Sequence, residues 1–334
     1  MLGTGLIGGS IGLGLVAAGW EVVGWDRDPD ILAAAVARGC ATPVGDAASV
    51  LGGARDVVVL AGPPSAVIEE VAAAGTDNLV MDVAGVKAPV LAANKLARFV
   101  GTHPMAGREV AGPEAASAGL FRGAAWLVAT DGATSGDLAQ VEALIRLLGA
   151  RPVRMTAAEH DRAVALVSHL PQLLAASLMN EATDRGEVLD LVAGSFRDLT
   201  RVAASDPTLW VDVLQANRVA VLEVLDEYIA RLGHFTSALE GDDRDGLASE
   251  LARAAGSRRR LGPPLAAVGI ALADRPGELA RVGHALERSS VDVRDLQLRH
   301  APFGGGGVLT VSVRAGDVDA LRAALHAEGL LLLD

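Results

Sequence analysis

The sequence predicts an open α/β unit built on a parallel sheet, then an all-helical segment, then a small α+β module of ferredoxin-like, β-α-β-β-α-β order. Three observations carry this reading. Short apolar runs alternate with helical stretches up to about residue 150; from Met155 to Ala255 that alternation gives way to apolar residues spaced three and four apart; after residue 265 short strands return. The corresponding boundaries are 1–152, 153–256, a linker at 257–264, and 265–334.

The first element is a glycine-rich turn. Gly3, Gly5 and Gly8 form G-x-G-x-x-G, followed by a helical stretch from Ser10 to Ala18, a Gly19 stop, a strand from Val22 to Trp25, and Asp26. This is the context of a Rossmann dinucleotide site. Gly3 permits the tight turn, Gly5 admits the pyrophosphate, Gly8 lets helix pack on sheet, and Leu6 and Ile7 offer unpaired helix N–H groups. Asp26 is placed to accept from both ribose hydroxyls and to repel a 2′-phosphate, which favours NAD, with Arg27 beside it pulling the other way. Only Met1 and Leu2 precede Gly3, so a full first strand implies a start upstream of Met1. The first twenty residues carry no charge, but seven are glycine and no basic segment leads them, so neither a signal peptide nor a membrane span is expected.

Further strands are expected at Asp56–Ala61, Leu79–Val83, Phe99–Thr102 and Ala125–Ala129. Gly62 and Pro63, the DVAGVK loop from Asp82 to Lys87, and the HPMAGR loop from His103 to Arg108 leave the carboxyl ends of these strands, where open sheets bind ligands. Gly62, Pro63 and Asp82 are therefore expected to line the cofactor.

In the helical segment, a long helix around Ala163–Thr183 is apolar through its middle, as helices buried against another subunit are, and predicts a homodimer. Asp206 and Pro207 make an N-cap and first-turn pair for a second helix, Pro207–Phe235, with Trp210, Val213, Leu214, Asn217, Val221, Val224, Leu225, Tyr228 and Leu232 on one face. The linker carries Arg258 to Arg260, read as a solvated hinge. Beyond it, strands at Leu265–Ala273, Val291–Arg299, Val308–Val313 and Leu330–Leu333 alternate with helices at Gly277–Arg288 and Val318–Ala327, with FGGGG as the hairpin turn.

With 29 basic and 41 acidic residues in 334, the net charge is −12, which argues against nucleic acid or an anionic membrane as partner. The single cysteine, Cys40, excludes an internal disulfide and a cysteine metal cluster and suits a reducing cytoplasm.

Three places carry candidate chemistry. His103 follows a strand at the sheet's carboxyl edge, where a neutral imidazole can take a hydroxyl proton while hydride leaves the same carbon. Arg197, Asp198 and Arg201 lie close enough on a helix for Arg201 either to pair with Asp198 or to face a ligand carboxylate. Ser168, His169 and Gln172, with Pro171 between, break an apolar helix and require polar partners. His160 and His169 share no helical face, and no metal site is expected.

The motifs GTGLIGGS, DVAGVK, THPMAG, SHLPQ and FRDLTRVAASDPTLW, in this order, resemble the prephenate/arogenate dehydrogenase family of tyrosine biosynthesis, and ALADRPGELARVGHAL resembles an ACT regulatory domain. The resemblance implies NAD-dependent oxidation of prephenate or arogenate at the ring hydroxyl with loss of carbon dioxide. It implies that His103 bonds that hydroxyl, Arg201 holds a substrate carboxylate, Asp198 gates Arg201, and Trp210, Ser168 and Gln172 contribute to the pocket. It implies an amino-acid effector, tyrosine, near Asp274 and Gly277. Gly85 stands where many members carry a serine that orients the histidine or the nicotinamide, so a water or another side chain must serve; Gln172 stands where many carry a histidine. A β-hydroxyacid dehydrogenase would rely on a lysine in the helical segment, yet residues 155–255 contain none. A non-catalytic cofactor sensor is the other alternative.

Overall fold

The computed structural model describes residues 1–107, 112–261, 265–300 and 306–333. They form two compact units, Met1–Arg231 and Leu232–Asp334.

In the first unit, Leu2 bridges in parallel to both Trp25 and Leu60. Val23–Gly24 pairs with Thr42–Pro43 on one side, and Val58–Leu60, Val80–Asp82 and Phe99–Val100 follow in parallel on the other. In chain order the strands run 3-2-1-4-5-6, the dinucleotide-binding arrangement, whose reversal point lies between Leu2 and Leu60. Val58–Leu60 and Val80–Asp82 are buried throughout, as a sheet covered on both faces requires. The expected strand from Phe99 to Thr102 is two: the chain turns at Gly101, and Thr102–Pro104 runs antiparallel to Ala125–Ala129, which pairs in parallel with Arg151–Met155. Thr42–Pro43 and Arg151–Met155 carried no apolar run and were not expected as strands.

The apolar helix is also more structured than its composition implies. Ala157–Val164 and Leu170–Asp184 are α-helical, and Ala165–His169 between them is a π-helical turn. Pro171 sits in the first turn of the second piece, where its missing N–H costs nothing. Likewise the single helix expected over Pro207–Phe235 is two, Pro207–Ala216 and Arg218–Glu240, because Asn217 leaves helical geometry (φ −100°, ψ 22°). Asn217 is buried and spends its amide on other partners, described below. On the helices after it, Val221 and Val224 pack against Ala165 and Leu170 as the apolar face predicts, while Leu232 is exposed.

Hydrogen bonds cross the expected boundary near 152. Asp161 accepts from the backbone N–H groups of Lys87 (2.7 Å) and Ala88 (2.8 Å), and Ser65 donates to Asp212 through its N–H and hydroxyl (3.1 and 3.2 Å). Two helices of the helical segment, Ala157–Val164 and Pro207–Ala216, are thereby fastened to the sheet.

The second unit contains Arg244–Arg258, a helix capped by Asp243, and a four-stranded antiparallel sheet. The expected linker is helical through Leu261, with Arg258 ending the helix and Arg259–Leu261 continuing as a 3-10 turn; residues 262–264 lie outside the described residues. The strands are Leu265–Leu272, Asp295–His300, Gly307–Arg314 and Leu331–Leu333, with Leu265–Leu272 flanked by the third and fourth. Glu278–Ser289 and Val318–Ala327 cover one face, burying Val282, Ala285, Leu321 and Leu325 on Val268, Ile270, Val311 and Val313. Most of the expected FGGGG turn, residues 303–305, lies outside the described residues.

Candidate active site

The glycine turn is built as its residue types require. Gly3 has φ +89°, and a Cβ there would lie 2.5 Å from the Ala61 carbonyl oxygen; a Cβ on Gly8 would lie 2.1 Å from the Gly3 oxygen. Both must be glycine for the Leu6–Ala17 helix to sit against the sheet. Gly5 differs: none of the described residues lies within 4 Å of its would-be Cβ. It caps the helix without a side-chain hydrogen bond, leaving the first-turn N–H groups of Leu6 and Ile7 available to an anion. Asp26 is held at the end of its strand, accepting from the Thr4 N–H (2.6 Å), the Thr4 hydroxyl (3.1 Å) and the Asp28 N–H (3.1 Å). Arg27 is exposed; Gly62 and the exposed Pro63 lead into the Pro64–Ala73 helix. These residues fit a dinucleotide.

Asp82 does not belong to this set. It is fully buried, and its carboxylate accepts from Lys87, from the Thr102 N–H (3.0 Å) and from the Ala84 N–H (3.0 Å). A group so enclosed has no surface to offer a cofactor. Its work is to hold Lys87, whose ammonium also donates to the Thr102 carbonyl at 2.7 Å. Burial pushes the Lys87 ammonium below its ordinary pKa, with Asp82 opposing. Thr102 is further fixed by Trp126, whose indole N–H donates to its hydroxyl at 2.9 Å.

That buried frame carries His103 on the next residue. The His103 ring comes within 3.9 Å, at Cε1 and Nε2, of where a Gly85 Cβ would be, so these two motifs meet as expected. Its Nδ1 lies 3.0 Å from Nε2 of His160, whose Nδ1 lies 2.7 Å from Asp161 Oδ1. His160 thus stands on the side of the ring away from Gly85 and supplies the orienting contact that glycine cannot. His103 is held well below the ordinary imidazole pKa by burial first, then by the nearby His160, Lys87 and His169.

A second line runs from the same aspartate. The Asn217 amide donates to the Asp161 carbonyl (2.9 Å) and lies 3.1 Å from His169 Nδ1; the His169 ring meets Trp210 edge-on, centroids 6.0 Å apart. Burial lowers the His169 pKa to about 4. Because the amide can only donate, His169 Nδ1 accepts and its proton sits on Nε2. Gln172 is buried, its side-chain oxygen without a hydrogen-bond partner among the described residues, and Ser168 is half-buried.

Asp198 and Arg201 are exposed, on the Gly194–Thr200 helix and the 3-10 turn Arg201–Ala204 that follows; this turn packs on the Leu170–Asp184 helix bearing Gln172. Asp274 and Gly277 border a cavity of the second unit, and Arg108 lies outside the described residues. His160, Asp161, Asn217 and Lys87 join the site although no motif marks them as functional residues. The pattern T-A-A-E-H-D contained a signal: Thr156 and Glu159 form a capping box, which fixes the helix start and turns His160 and Asp161 inward.

A family model described as "Prephenate dehydrogenase, nucleotide-binding domain" matches residues 11–155, and one described as "Prephenate dehydrogenase, dimerization domain" matches residues 156–253. The prephenate dehydrogenase of Bacillus subtilis is 29% identical, covering 97% of this chain and 93% of its own length. The probable prephenate dehydrogenase NovF of Streptomyces niveus is 33% identical, covering 98% and 96%. The solved structure of Aquifex aeolicus prephenate dehydrogenase in complex with hydroxyphenyl propionate and NAD+ is 25% identical, with a TM-score of 0.72, covering 78% of this chain and 96% of that one. By its motifs, its strand order and these likenesses, the chain belongs to the prephenate dehydrogenase family.

Proposed function

We propose that this chain catalyses the NAD-dependent oxidative decarboxylation of prephenate to 4-hydroxyphenylpyruvate, the tyrosine-forming branch of aromatic amino acid biosynthesis. The observation that carries the reading is His103: neutral, held from behind by His160, and set at the carboxyl edge of a dinucleotide-binding sheet. NAD, when bound, accepts the hydride. Gly3, Gly5 and Gly8 let the cofactor approach, Leu6 and Ile7 present N–H groups to its phosphates, Asp26 meets its ribose, and Gly62 and Pro63 border it.

His103 Nε2 takes the proton of the ring hydroxyl, which raises electron density on the carbon that loses hydride. Arg201 holds a substrate carboxylate as a charged hydrogen bond worth ~1.5–3 kcal/mol, and Asp198 pairs with it when substrate is absent. Trp210, Ser168 and Gln172 complete the pocket. NADH formation with prephenate, followed by absorbance, tests the assignment; no turnover with prephenate or arogenate overturns it in favour of a sensor.

Arogenate is the second reading, favoured by one feature. The buried Gln172 oxygen meets no donor among the described residues, and the arogenate side chain carries an ammonium where prephenate carries a keto group. The ratio of kcat/KM for the two substrates decides.

The matched dimerization region leaves Leu166, Val167, Val211, Val219, Leu222 and Ile229 exposed, which supports a homodimer formed through it. Sedimentation as a monomer at micromolar concentration overturns this. The module from Leu265 to Leu333 is, in this proposal, an ACT-like ferredoxin fold. Its strand order and a cavity of about 390 Å³ bordered by Asp274, Arg275, Gly277 and Leu298 support a tyrosine effector site. Calorimetry with tyrosine, phenylalanine and tryptophan tests it. The acidic chain and lone buried Cys40 suit a cytoplasmic enzyme that engages neither nucleic acid nor membrane.

A further inference from the structure

Asp161, His160 and His103 form one hydrogen-bonded line, and the proton positions along it follow from the far end. Asp161 accepts from the Lys87 and Ala88 N–H groups and from His160 Nδ1. An ionised carboxylate only accepts, so the His160 proton sits on Nδ1 and its Nε2 is a lone pair. His103 Nδ1, 3.0 Å away, must then donate, which leaves Nε2 of His103 bare on the side of Gly85. With both rings neutral, no other arrangement satisfies all three contacts.

Adding one proton reverses the middle bond. If Nε2 of His103 gains a proton while its Nδ1 proton passes to His160 Nε2, His103 is neutral again and His160 carries the charge, against Asp161. The charged groups around the pair favour this resting place: the Lys87 ammonium disfavours a charge on His103, with Asp82 compensating Lys87, whereas the group in contact with His160 on its far side is the Asp161 carboxylate.

We propose that His160 is a proton-relay and positioning residue for the reaction: the substrate O–H bond breaks as His103 Nε2–H forms, His103 Nδ1–H breaks as His160 Nε2–H forms, and the positive charge rests on the His160–Asp161 pair. The hydride departs to NAD in the same oxidation, so electrons and protons balance. This rests on His103 being the base.

His160→Gln is the discriminating variant, because a glutamine can donate to Asp161 and accept from His103 Nδ1 but cannot hold the proton. The expected result is KM for substrate and NAD within about threefold, kcat down ~100-fold, the acid limb of the kcat profile moved to lower pH, and a proton inventory changed from curved to linear in deuterium content. A kcat within threefold of the parent with an unmoved limb overturns the relay. His103→Asn, assayed alongside, separates the two readings: if it retains kcat, the assignment of His103 as base fails, and if it alone is inactive, only the relay fails. ¹⁵N-histidine spectra of the unmodified full-length chain, assigned by the signals lost in His103→Asn, are independent of any folding defect in His160→Gln. They are expected to show His103 as the Nδ1–H tautomer; the Nε2–H tautomer in the ligand-free enzyme overturns the proposal.

Discussion

The ammonium of Lys87 donates to the carbonyl oxygen of Thr102, 2.7 Å away, the residue immediately before His103. A buried ion pair with Asp82 thus fixes the strand from which the imidazole projects. Lys87→Met would leave Asp82 charged and enclosed, a loss of about 3–5 kcal/mol. Chemical denaturation of Lys87→Met is expected to show that loss, and the double variant with Asp82→Asn to recover part of it, because the amide removes the uncompensated charge while its oxygen can still accept from a backbone N–H.

Gly5 and Gly8 separate cofactor binding from folding. Gly5→Ala meets nothing among the described residues and should unfold with a midpoint near that of the parent, while its KM for NAD rises at least tenfold because the methyl occupies the approach to the phosphates. Gly8→Ala drives a Cβ into the Gly3 carbonyl and should lose stability and NAD binding together. Thermal unfolding with and without NAD reads both.

Steady-state kinetics should divide the two polar anchors. His103→Asn is expected to lower kcat by ~10²–10⁴-fold with little change in KM. Arg201→Ala is expected to raise KM much more than it lowers kcat, by about tenfold or more for a lost charged hydrogen bond.

Acid should lower stability through both His103 and His169, and activity through His103. His103 is depressed well below 6.5 and stays neutral as pH falls through that value, so kcat/KM should hold across pH 6.5 and decline only at more acid pH. His169 is about 4 folded against 6.5 unfolded. Between these values the unfolded chain binds more protons, so stability is full above pH 6.5 and falls as pH drops toward 4, by roughly 3 kcal/mol at most. Denaturant midpoints at pH 7 and pH 4.5 check the sign; in His169→Gln the part of the difference due to this residue should disappear.

The sheet unit was readable because its signals are local. Glycine spacing, apolar runs such as VVVLAG and the acid at position 26 each act within a few residues, and the structure places them as read. Asp82 was misread for a related reason: its motif position is at the ligand edge, but what withdraws it is the ion pair with Lys87 at the other end of the same motif and the bond from Thr102, itself fixed by Trp126, both far along the chain. The long helix over 207–235 kept its apolar period across Asn217 because the break is caused by tertiary hydrogen bonds to Asp161 and His169, which leave no mark on periodicity. His160 was weighed only as a metal ligand. Its partners lie 57 residues away and next door, and spacing shows only the second.

Asp161 has a consequence for how the chain tolerates change. Its side chain supplies the cap that the Ala88–Ala93 helix lacks locally, since Lys87 at the N-cap position provides none. One carboxylate therefore terminates a helix of the sheet unit and anchors a histidine of the helical segment. Two segments that match separate family models cannot drift apart in sequence at this point, because a substitution suited to one side of Asp161 removes an acceptor from the other.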